Sequence, residues 1–130
     1  MQERHIAACG ALNMLIAIAC GAFGAHALKN LLSPDMLAIW HTAVQYQMAH
    51  ALGMLLIVAL TPRLLPTTAL SKIGTAFLFG IVVFSGSLYV LALTGVRWFG
   101  AITPIGGVSF LVGWGLLGWG ILKQKNPNKY

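Results

Sequence analysis

The residues able to do chemistry crowd into one stretch, "WHTAVQYQMAH" at 40–50, which holds two His, two Gln, a Thr and a Tyr in eleven positions. His26 precedes it, and "FSGSLY" and "ITPIGGVS" add Ser85, Ser87, Tyr89, Thr103 and Ser109. Imidazoles can move protons or ligate zinc, copper or haem iron, and His26 and His50 would be the axial pair of a haem reading. Hydroxyls and amides can instead hold a polar ligand or one another. The acids narrow the choice. Only Glu3 and Asp35 exist, both outside the hydrophobic blocks, so no buried carboxylate serves a proton antiport cycle or a Ser-His-Asp triad. There is no CxxC and no phosphate-binding Gly-rich loop. The expectation is no catalytic residue, no metal ligand and no cofactor, hence no enzyme.

The elements that position these residues follow from composition. The chain has 130 residues, 58% hydrophobic and 8% charged, with mean hydropathy +0.84. That charged share is about a third of what a soluble domain carries, and a chain this short could not cover its own apolar surface. A bilayer covers it. Four hydrophobic blocks, 5–28, 44–60, 70–94 and 99–122, are each long enough to cross roughly 30 Å of hydrocarbon at about 1.5 Å per residue. "SPD" at 33–35 offers Ser33 as N-cap, Pro34 at the first helical position and Asp35 at the positive end of the helix dipole. The second helix therefore starts at the outer interface and runs 34–60. "TPRLLPTT" at 61–68, with two prolines, and "GVRWFG" at 95–100 separate the later spans. The expected fold is all-α, a single four-helix transmembrane bundle over the whole chain with a polar tail at 123–130.

Signal-peptide features are present at the N-terminus, with Arg4, an apolar run and "AHA" at 25–27. The run is nearer a full span than a short signal core, so it is expected to stay as the first helix. Cys9 and Cys20 lie about 16 Å apart along that helix, too far for a disulfide, and read as buried thiols.

The net charge of +6 suggests no nucleic acid, because the basic residues are scattered singly between apolar blocks. They read as topology signals. Arg4, Arg63, Lys72, Lys123, Lys125 and Lys129 fall on one side of a four-span chain, and only Lys29 and Arg97 on the other. By the positive-inside rule both termini are cytoplasmic. That topology brings His26, His41, Tyr46, Gln47, His50, Ser85, Ser87, Tyr89 and Thr103 to the outer half of the membrane, leaving Asn13 at mid-span or below. Unpaired polar groups in hydrocarbon cost several kcal/mol, so these side chains are expected to form one cluster. Small-residue pairs such as Ala17/Gly21 and Ser109/Gly113 read as close packing within the bundle.

"GAFGAHAL" at 21–28, "WHTAVQYQMAHAL" at 40–52, "FSGSLYVLALTG" at 84–95 and "ITPIGGVSFLVGW" at 102–114 together resemble the small bacterial inner-membrane family known as domain of unknown function 423, the YgdD/YwdK-like proteins. The resemblance spans nearly the whole chain. It implies a four-helix protein of the inner membrane and supplies no activity. The family's motif residues fall on His26, Tyr46, Gln47, His50, Ser85, Ser87, Tyr89, Thr103 and Pro104.

The first functional expectation is a non-enzymatic membrane protein, a homo-oligomer or an accessory subunit of a membrane partner. Its polar cluster fixes the bundle and binds a small ligand or lipid headgroup. The alternative is a small-solute channel or carrier with an outward vestibule, and a haem or metal redox protein stands third.

Overall fold

The computed structural model describes residues 1–124; the tail expected over 123–130 lies outside them from residue 125 onward. Helix α1 spans Glu3–His26, a 3-10 turn Leu28–Asn30 comes next, and α2 spans Pro34–Leu64. Helix α3 (Thr67–Gly80) runs through a π-helical turn at Ile81–Ser85 into α4 (Gly86–Thr94), and α5 spans Phe99–Lys123. The described residues contain no strand. The protein is an all-α membrane bundle: α1, α2, the continuous third span Thr67–Thr94 and α5 are each long and apolar enough to cross a bilayer. Only helices satisfy every backbone group internally across hydrocarbon, which is why apolar runs of this length take that form.

Local chemistry sets the ends. Ser33 Oγ accepts from the Met36 amide at 3.3 Å, with Pro34 first in the helix and Asp35 in its first turn. Gly95 closes α4 in the left-handed region (φ 71°), where its amide reaches the Leu91 carbonyl at 2.7 Å. The proline-rich separator is shorter than its two prolines imply. Pro62 sits inside α2, which continues to Leu64. Proline is tolerated there because little helix remains beyond it to lose, and the neighbouring Thr61 hydroxyl bonds the Ile57 carbonyl at 2.7 Å. The chain leaves the helix at Leu65 (φ −130°, ψ 138°), since a residue preceding proline is pushed out of the helical region. Pro66 then caps α3, so the third span begins at Thr67.

Helices α2 and the third span form the centre. Helix α1 packs along α2, α5 packs along the third span, and among the described residues α1 and α5 make no substantial contact with each other. The half nearer the N-terminus is filled by Ile6, Met54, Ile57, Ile73, Phe77 and Phe110. The opposite half centres on Trp40, Val44 and Ala92, with Tyr89 against them. Close approach depends on glycine at Gly24, where an added Cβ would lie 2.7 Å from the Trp40 ring.

The π turn rotates α4, the second half of the third span. One extra residue in a helical turn shifts the phase of that half by about 100° relative to an unbroken α-helix. Ser85, at the end of the turn, reaches out of the third span to donate to the Ala43 carbonyl of α2 at 2.8 Å.

Candidate functional site

The polar residues resolve into separate arrangements rather than one cluster. The first crosses the bundle at mid-depth. Gln47, on the buried stripe of α2, donates from Nε2 to Asn13 Oδ1 on α1 at 3.1 Å and accepts at Oε1 from the Tyr89 hydroxyl at 2.7 Å. Asn13 in turn donates to the Cys9 carbonyl one turn below, at 2.9 Å. Tyr89 sits near the C-terminal end of its span but meets Gln47 because long helical side chains lean toward the helix N-terminus, which here is toward the middle of the bundle. Trp40 packs on the Tyr89 ring at 4.6 Å and donates to the Cys20 carbonyl at 2.8 Å. Asn13, Cys20, Gln47, Ser85 and Tyr89 line a crevice of about 300 Å³ beside the π turn.

The second arrangement surrounds His50. Its Nδ1 lies 2.7 Å from the Tyr46 carbonyl, and its Nε2 receives the Trp114 indole N–H at 3.0 Å. A carbonyl only accepts and an indole only donates, so the ring is neutral with its proton on Nδ1. Both nitrogens are engaged, which leaves no lone pair free for a metal. The ring stacks on Phe110 with centroids 3.4 Å apart. A third arrangement joins Ser87 to Thr103 of α5, hydroxyl to hydroxyl at 2.7 Å. Ser109 of α5 donates to the Ala76 carbonyl at 2.7 Å.

Of the residues singled out from sequence, the structure joins Gln47 to Tyr89, Ser87 to Thr103, and His50 to the backbone of Tyr46, with Ser85 beside the first group. His26 and His41 are exposed and make no side-chain hydrogen bond to a described residue. The buried stripe of α2 runs Trp40, Ala43, Val44, Gln47, His50, Ala51 and Met54, and His41 lies off it. His26 ends α1 where the chain turns away. Two partners lie beyond the residues that sequence singles out, Asn13 and Trp114. Asn13 sits at mid-helix but within amide reach of Gln47, and a tryptophan inside an apolar span carries no sign of the acceptor it will meet. No buried side-chain nitrogen or oxygen among the described residues lacks a hydrogen-bond partner.

The family profile described as "Protein of unknown function (DUF423)" matches residues 20–107, which carry every group above except Cys9, Asn13 and the α5 residues beyond. The chain belongs to the DUF423 family. It is 52% identical over 116 residues to a UPF0382 membrane protein of Staphylococcus saprophyticus, covering 88% of this chain and 93% of that one. To the UPF0382 membrane protein YwdK of Bacillus subtilis it is 46% identical over 105 residues, covering 81% and 85%. A UPF0382 membrane protein of Staphylococcus epidermidis is 52% identical over 107 residues, covering 81% and 84%. No solved structure matches the chain. This DUF423 protein is thus an integral membrane protein of an uncharacterised bacterial family, with its apolar helix faces against lipid.

Proposed function

We propose that the protein is a non-enzymatic component of the cytoplasmic membrane, both termini inside, whose polar layer clamps the bundle for assembly with a second copy or another membrane protein. The Tyr89–Gln47–Asn13 relay carries this reading, since it ties three spans together and ends on the Cys9 carbonyl with no group left to react. A transport path needs polar groups that face a lumen and continue to the other side. Here they face each other. The most open span, α1, has only 17% of its central window buried, which leaves a broad face for lipid or a partner helix.

The test uses purified protein in liposomes. Replacing the relay with apolar groups of similar size (Asn13→Leu, Gln47→Met and Tyr89→Phe together) should leave a folded but less stable bundle that associates more weakly, and neither form should pass ions or small solutes above protein-free vesicles. Flux through the native protein that the triple replacement abolishes would overturn the proposal.

A further inference from the structure

A groove of about 470 Å³ opens sideways between α2 and α5, floored by His50 and Phe110 and walled by Tyr46, Phe84 and Trp114. Three observations separate it from an ordinary furrow between helices. Its faces are flat rings: Tyr46 lies 4.4 Å from Phe84 and His50 stacks on Phe110, with Trp114 at the inner end. Tyr46 lines it, is 43% exposed, and its hydroxyl makes no hydrogen bond to any described residue, although Tyr46 lies twelve residues beyond Pro34 along a span. No charged residue lines it. An O–H donor left bare in hydrocarbon is costly, so an occupant that accepts its proton is favoured over a plain acyl chain.

The remaining polar atoms define the occupant further. His50 has no free donor or acceptor, because Trp114 fills Nε2 and the Nδ1 proton is given to the Tyr46 carbonyl. The groove therefore offers one hydroxyl between aromatic faces, with no cationic side chain to neutralise a phosphate and no carboxylate to pair with an ammonium. Aromatic faces favour a flat conjugated ring over a plain acyl chain. We propose that this groove binds a membrane-dissolved quinone, its ring against Tyr46, Phe84 and Trp114, one ring carbonyl accepting from the Tyr46 hydroxyl, and its isoprenoid tail in the bilayer. The binding involves no electron transfer and does not depend on the clamp role of Gln47.

Gly107 supplies a way to fill the groove without disturbing the helices. A Cβ there would meet Phe84 at 3.7 Å, an ordinary contact, and a longer side chain would extend into the open space. The experiment uses the full chain in phosphatidylglycerol/phosphatidylethanolamine nanodiscs with a photoactivatable short-chain azidobenzoquinone, decylbenzoquinone as competitor, and peptide mapping by mass spectrometry. Saturable, competed labelling confined to residues 46–50 and 104–114 is expected. Gly107→Leu should abolish it, with Val108→Trp at the rim as the second variant if the first melts early. Tyr46→Phe should raise the half-saturating concentration about fivefold, the loss of one hydrogen bond. Labelling that the surrounding phospholipid suppresses, that never saturates, that maps to the Asn13/Tyr89 crevice, or that survives in both filled variants overturns the proposal. So does unchanged affinity in Tyr46→Phe.

Discussion

Trp114 holds His50 in one protonation form: the indole N–H donates to Nε2 at 3.0 Å while the Tyr46 carbonyl occupies the other side of the ring at 2.7 Å. An imidazole bracketed by an obligate donor and an obligate acceptor is a structural bridge between α2 and α5. Removing either bracket changes what the ring can do.

Trp114→Phe keeps the aromatic contact with Phe77, 4.9 Å away, and removes only the donor. The acceptor left bare at Nε2 should lower stability by about 1–2 kcal/mol. Reversible unfolding in mixed micelles checks the value, and an unchanged stability would mean the indole bond contributes nothing.

Gln47→Leu strands partners on two helices at once, the Tyr89 hydroxyl and the Asn13 carbonyl oxygen. It should destabilise by roughly 2–4 kcal/mol, more than Tyr89→Phe, which strands only one acceptor. Adding Tyr89→Phe and Asn13→Leu to Gln47→Leu should recover part of that loss. A double-mutant cycle with simple additivity between Gln47 and Tyr89 would disprove the coupling.

Gly106 and Gly107 are adjacent yet unequal. A Cβ at Gly106 would lie 2.7 Å from the Phe84 Cβ and press on its backbone, whereas at Gly107 it meets only the ring at ordinary distance. Gly106→Ala should cost about 1–3 kcal/mol through forced separation of α5 from the third span, and Gly107→Ala about 0.5 kcal/mol or less. Thermal melting of the two variants side by side decides it.

For topology, six basic residues against two favour an orientation with both termini inside. A fluorescent protein fused after Tyr130 should glow and an alkaline phosphatase fused there should stay inactive. The reverse pair of results would invert the orientation.

Sequence made the helices legible, but not the direction each side chain faces. Span length, the Ser33 cap and the glycines at helix contacts follow from hydropathy and local stereochemistry. Azimuth is harder in a membrane, because the outer face of a span is as apolar as its inner face and no stripe marks the core. His41 and Gln47 share one helix and similar polarity, yet only Gln47 is buried. Counting along the backbone separates Asn13 from the outer residues, because it ignores the reach of two amide side chains. The π turn at Ile81–Ser85 leaves no composition signal at all, and its phase shift precedes both Ser87 and Tyr89. Pro62 misleads for the opposite reason, since proline marks a break more strongly than it forces one near a helix end.

The order of Gln47's two bonds along the chain bears on biogenesis. Asn13 and the Cys20 carbonyl belong to α1, Gln47 and Trp40 to α2, so the first 64 residues already contain both ends of two interhelical bonds. A hairpin leaving the insertion machinery can therefore enter lipid with the Gln47 donor paired and one acceptor, Oε1, still open. Tyr89 emerges later and closes that acceptor. At Gln47 the first two spans thus form a provisional unit that the third span completes, while His50 Nε2 waits longer, for Trp114 of α5.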